Sequence, residues 1–147
     1  MQTLDARIAS FLEDNHVLSL ATCWAGKPWA ANGFYLYDDA DTSLIIQAAH
    51  DTWHGGTLPL NPSVAGCIAG QALSVDDILG VQFSGTARLI PMEELESAQR
   101  AFYCRFPSAI AMAAPLWRIA LNHLKLTDNR LLGFGGKLVW RREAVAA

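Results

Sequence analysis

The stretch Gly80 to Ile90, GVQFSGTARLI, limits the possible folds more than any other part of the chain. In it Val81, Phe83, Gly85, Ala87 and Leu89 alternate with Gln82, Ser84, Thr86 and Arg88. A helix repeats its faces near every 3.6 residues and a strand every 2, so a sustained alternation predicts a strand. One face of it meets a core and the other is polar, turned to solvent or to a site.

Shorter runs of the same kind surround it. Val17 to Thr22 and the aromatic Trp29 to Tyr37 read as antiparallel strands joined by Ala25-Gly26-Lys27-Pro28. Asp38-Asp39-Ala40-Asp41 then turns into Leu44-Ile45-Ile46, so three strands run as a meander, with Val64 to Ala69 expected as a fourth in the same order. Gly70 to Ile78 has no period. Leu116 to Leu121 alternates, Asn122-His123 reads as a turn, Leu124 to Thr127 continues extended, and a last strand lies around Leu138 to Trp140.

Two helices flank these strands. The first, about residues 2–15, places Leu4, Ile8, Phe11 and Leu12 on one stripe. The second, about 92–106, follows Pro91, carries Glu93, Glu94 and Glu96 near its positive end, buries Leu95, Ala98, Ala101 and Phe102, and stops at Pro107. Ser108 to Ala114 reads as a short helical turn. No repeat or linker divides residues 1–147, so one domain is expected, and a chain of this size buries about 68 to 70% of its unfolded surface. Many short strands with peripheral helices predict an antiparallel barrel, because closure removes exposed sheet edges.

Only 17% of the residues are charged while 52% are hydrophobic, against roughly 25% charged in an average soluble protein. Some apolar surface therefore needs a cover, and a homodimer is the simplest one. A net charge of −3 and a pI of 5.7 argue against a nucleic-acid footprint. No apolar run approaches the roughly 18 residues of a membrane span. The start MQTLDARIASFLEDN lacks the basic and apolar regions of a signal peptide, so a cytoplasmic location is expected. Cys23, Cys67 and Cys104 are far apart among apolar neighbours, which reads as reduced, buried thiols.

The segment Leu44 to Ala65, LIIQAAHDTWHGGTLPLNPSVA, runs from an apolar strand into hydroxyl, imidazole and glycine groups. Such a junction can hold an anion against a sheet, although Gly, Pro, Asn and Asp also serve ordinary turns. His50 and His54 are spaced as two metal ligands on a helix would be, but a third ligand is missing and Gly55-Gly56 argue against a helix there. A hydrolase elbow of the G-x-S-x-G type is absent, and none of the cysteines has a thiolate-stabilising setting.

The strand ANGFYL, the segment just described, GVQFSGTARLI, the FP after the second helix and the ending LKLTDNRLLGFGGKLVW occur in an order that resembles the small YhbP-type proteins. Those belong to the pyridoxamine 5′-phosphate oxidase-like, FMN-binding split-barrel superfamily. The resemblance covers about Val17 to Trp140. It implies a six-stranded antiparallel split β-barrel, mainly β with flanking helices, acting as a homodimer with flavin sites between the subunits.

It also implies site residues. Ala48, Thr52, Trp53 and His54 stand where many members have a Thr, then a Ser or Thr, an Arg and a Lys that hold the FMN phosphate. Asn32, Phe34 and Tyr35 match the strand that lines the isoalloxazine, Gln82 matches a flavin-contacting glutamine, and Lys137 is placed to reach an anion at the interface. The expected activity is that of an FMN-dependent oxidoreductase or flavin reductase acting on a small molecule, with no catalytic acid or base assigned. Oxidation of pyridoxamine phosphate itself is not expected, because the chain is short and lacks a second phosphate-binding set of arginines. The alternative is a dimer that has lost tight FMN binding and serves another planar ligand, haem or a deazaflavin, or a partner protein.

Overall fold

The computed structural model describes residues 2–145. Helix α1, Ala6–Asp14, starts where the Asp5 carboxylate accepts the Arg7 N–H and buries Ile8, Phe11 and Leu12. Strands β1 (Val17–Trp24), β2 (Lys27–Asp38) and β3 (Ser43–Gln47) follow. The β1–β2 turn has two central residues, Ala25 at φ 50° and Gly26 at φ 74°, the left-handed pair that a tight hairpin requires. A short helix α2, Trp53–Thr57, precedes β4 (Ser63–Ala69), and β5 (Leu79–Leu89) follows a 3₁₀ turn at Val75–Asp77. Helix α3 (Met92–Arg105), a 3₁₀ segment (Pro107–Met112), β6 (Leu116–Asp128), α4 (Asn129–Leu132) and β7 (Lys137–Arg141) complete the order.

The strands pair antiparallel in the order β3-β2-β1-β4-β5-β6-β7, and β3 also pairs with β6. That last pairing closes six strands into a barrel, with β7 attached outside the ring. The fold is the split barrel anticipated above, with the helices on its flanks. The first three strands form the meander, but β4 does not continue it. It crosses to the far edge of β1, with Ser19 opposite Cys67 and Ala21 opposite Ala65, because the α2 segment carries the chain past β2 and β1.

The expected turn at Asn122-His123 is also corrected. β6 is one strand in which Ser84 faces His123 and Gly85 faces Leu121, so Asn122 is a bulged extra residue. On its other edge the first half of β6 pairs with β3 and the second half with β7. Arg142 fills that junction, donating from Nε to the Leu121 carbonyl at 2.8 Å and from Nη2 to the carbonyls of Asp41 and Thr42 at 2.7 and 2.9 Å.

The inward residues of all seven strands and of α1 make one core, including Leu18, Leu20, Tyr35, Leu44, Phe83, Ile119, Leu124 and Trp140. A second cluster, with Ile45, Ala98, Phe102 and Leu116, seats α3 on the outside. Arg118 is buried beside it and donates to Asp38 and Ser43, each at 2.8 Å, which ties β6 to the β2–β3 end. The cysteines depart from expectation: Cys67 and Cys104 are exposed and Cys23 is half-buried. Their sequence neighbours are apolar, but a strand sends the neighbours of Cys23 and Cys67 to opposite faces and helix α3 turns Cys104 away from the face that buries Ala98 and Phe102, so such neighbours do not predict burial.

Candidate functional site

β2 and β3 pair only between Tyr35–Asp38 and Ser43–Ile46. From Phe34 back toward Lys27, β2 leaves β3, and this seam is the split in the barrel. α2 lies over it. His54 reaches into the seam beside Asn32, Phe34 and Gln47, where the free volume is about 30 Å³, room for roughly one water and no ring.

α2 forms despite its two glycines. The Thr52 hydroxyl accepts the Gly55 N–H at 3.1 Å and donates to the Ala49 carbonyl at 2.7 Å, so it caps the helix and pins the turn together. Gly55 is required for closeness rather than flexibility, since a Cβ there would stand 1.9 Å from the Ala49 carbonyl oxygen. Gly55 and Gly56, which made a helix doubtful from sequence, thus lie within one. As a phosphate cradle this turn is poor. Thr52 has spent its hydroxyl, Trp53 is exposed with its ring 6.0 Å from Trp29, and burial holds His54 below its ordinary pKa of 6.5 and so favours the neutral ring.

The remaining candidates separate by the face they occupy. Tyr35 is turned away from any external site. It is fully buried, its hydroxyl donates to the Leu12 carbonyl at 2.8 Å, and burial pushes its phenol well above the ordinary range. Its expected role in lining a cofactor is replaced by a role in the core. The pleat is the reason, because Phe34 and Tyr35 are neighbours and must face opposite ways. Phe34 points outward, 52% exposed, with His16 stacked 6.2 Å away on one side and Phe106 at 5.1 Å.

Asn32 faces outward too, its side-chain oxygen accepting the Ser19 hydroxyl at 2.8 Å. Register carries this row across the sheet: Asn32 opposite Ser19, Ser19 opposite Cys67, Cys67 opposite Gln82, Gln82 opposite Lys125. The adjacent row reads Ala30, Ala21, Ala65, Ser84, His123 and Arg141. The middle of the outer face is thus a floor of small residues, Ala, Ser and Cys, with Asn32 at one end and Gln82 toward the other. With strands about 4.8 Å apart, Asn32 and Gln82 are roughly 14 Å apart along the sheet. One copy brings Asn32, Phe34, Trp53 and His54 to one side and Gln82 to the other.

Lys137 lies on β7, opposite Thr127 of β6 and outside the closed ring. The sequence reading missed the outward residues His123, Lys125 and Arg141. Finding them requires the parity of β6 to be followed through the Asn122 bulge, which reverses it. Among the described residues no helix is long and apolar enough to cross a membrane, and no group of three or more His, Cys, Asp or Glu side chains is placed to hold a metal ion.

Comparison with known proteins agrees with this architecture. The UPF0306 protein YhbP of Escherichia fergusonii is 40% identical over 144 residues, 98% of this chain and 97% of that one. A structure described as a heme binding protein from Mycobacterium smegmatis superposes with a TM-score of 0.76 at 17% identity, covering 96% of this chain and 60% of its own. A FAD-binding protein from Mesorhizobium loti superposes with a TM-score of 0.68 at 18% identity, covering 84% and 94%. The family model described as pyridoxamine 5′-phosphate oxidase matches residues 4–125, and the chain belongs to that family.

Proposed function

We propose that the protein is a homodimeric flavin-binding redox protein that holds FMN between two copies. The observation that carries this reading is the small-residue outer face of Ser19, Ala21, Ala30, Ala65 and Cys67. Small exposed side chains on a rigid sheet allow a second copy, or a planar ring at its edge, to approach closely. A two-fold axis across this floor would set the Gln82 end of one copy near the Asn32 and Phe34 end of the other, joining groups that a single copy holds apart. It would also bury Cys67. The scarcity of charged residues and the family membership support the same reading.

Asn32 and Gln82 would hydrogen-bond to the ring edge, while Phe34 and Trp53 offer aromatic walls. A bound flavin supplies the electron chemistry, and the chain supplies orientation, a dry floor and hydrogen bonds. The test is titration with FMN, followed by quenching of flavin fluorescence. Saturable quenching at micromolar concentration is expected, and none would refute the reading.

The α2 turn, which carries Asp51 and no Lys or Arg, favours a second reading, in which the same face takes a planar ligand without a phosphate at that position, such as haem. Addition of hemin distinguishes the two, since ligation gives a sharpened Soret band and flavin binding does not.

A further inference from the structure

The chain contains eleven Lys and Arg residues, and most of them are spoken for. Arg7, Arg88, Arg100, Arg118 and Arg130 are paired with carboxylates. Arg105 and Arg142 donate to backbone carbonyls. Lys27, Lys125, Lys137 and Arg141 remain without a hydrogen bond or ion pair among the described residues, and three of these four share one patch of the outer face on β6 and β7.

Register fixes their arrangement. Lys125 is opposite Val139, and Lys137 and Arg141 stand two residues to either side of Val139 on the same face. Diagonal neighbours on a sheet face have Cβ atoms about 7 to 8 Å apart, so all three side chains are long enough to reach a group bound above Val139. His123 lies opposite Arg141, the Thr127 hydroxyl opposite Lys137, and the Gln82 amide opposite Lys125. The carboxylates at the ends of these strands are occupied elsewhere: Asp128 accepts the Leu131 N–H at 3.1 Å and Glu143 accepts the Gln2 N–H at 3.1 Å. Three like charges converging on a rigid sheet repel one another, and in a chain of net charge −3 an uncompensated patch of this kind is a site awaiting an anion.

We infer that Lys125, Lys137 and Arg141 form a binding site for the phosphate group of a small ligand, with Thr127 as a further donor. The group supplies the clustered positive charge that the α2 turn lacks. That the phosphate is the tail of a flavin held by the partner copy rests on the proposed function. A separate phosphorylated substrate would use the same chemistry.

The probe is pyrophosphate, followed by ³¹P line broadening and calorimetry on the full chain. The wild-type protein is expected to bind it saturably, and the pair Lys125→Gln with Arg141→Gln to weaken binding at least tenfold. Lys27→Gln, which removes the fourth unpaired cation from the β1–β2 hairpin, is expected to leave binding unchanged. Lys27 and Arg141 are exposed and Lys125 is half-buried, and thermal melts verify folding. Displacement of pyrophosphate by FMN but not by riboflavin assigns the site to the cofactor tail; FMN binding without displacement assigns it to a second phosphorylated ligand. No saturable binding below millimolar pyrophosphate, or equal binding by the double variant, overturns the inference. Absence of flavin binding with pyrophosphate binding intact overturns the proposed function alone.

Discussion

Replacing Gly55 by alanine tests whether α2 is held by contact rather than by propensity. The added Cβ would lie 1.9 Å from the Ala49 carbonyl oxygen and 2.8 Å from Thr52 Oγ1. A carbon–oxygen contact relaxes near 3.3 Å, so the turn must open by roughly 1.4 Å against backbone that has no rotamer to change. Overpacking costs about 1 to 3 kcal/mol and a disturbed Thr52 cap about 1, offset by about 1 from the helix preference of alanine over glycine. A net loss of about 1 to 3 kcal/mol follows, which for a chain of this length lowers Tm by about 3 to 10 °C. The neighbouring Gly56→Ala is the control, because its Cβ would meet only the His50 carbonyl oxygen, at 3.2 Å. It should move Tm by less than about 2 °C. Thermal unfolding by circular dichroism measures both. Equal effects of the two substitutions would refute the contact argument.

Other consequences are measurable separately. Ala25 occupies the left-handed region at φ 50°, so Ala25→Asn, giving the favoured Asn-Gly turn, should stabilise by about 0.5 to 1 kcal/mol in urea unfolding. His54 has its pKa lowered by burial from 6.5. Above that value it is neutral in both states, and as pH falls below it the unfolded chain takes the proton first. Stability should therefore decline with acid until the folded ring also titrates, and His54→Gln should flatten this part of the pH–stability curve. Ala65→Glu places a charge in the outer floor, and burying it unpaired at a two-fold interface costs about 3 to 5 kcal/mol. Sedimentation should show a monomer with an unchanged far-UV spectrum. A dimer as tight as the wild type would remove this face from the interface.

The barrel was legible because its strands announce themselves. GVQFSGTARLI keeps its period from Val81 to Arg88, breaking only at Leu89, which is exposed while Ile90 is buried, and the hairpin from Val17 to Tyr37 is marked by strand formers around Ala25-Gly26. The path of β4 was not legible, since which edge a strand joins depends on how the α2 segment crosses the barrel, and no local preference records that. The site was legible in position but not in chemistry. Thr52 looked like a free hydroxyl donor, and only its distances to Ala49 and Gly55 reveal it as a cap. Tyr35 looked equivalent to Phe34, yet the pleat sends one to the core and the other outward. Lys125 and Arg141 could not be placed on the face of Gln82 without the bulge at Asn122, which shifts every later residue of β6 to the opposite parity.

Native mass spectrometry of the protein with added FMN tests the central claim most directly, because it reads assembly and cofactor in one spectrum. The account predicts a dimer of the 16.0 kDa chain carrying two FMN molecules, reduced to apo monomer by Ala65→Glu. A monomer that binds FMN, or a dimer that takes up none, would contradict it.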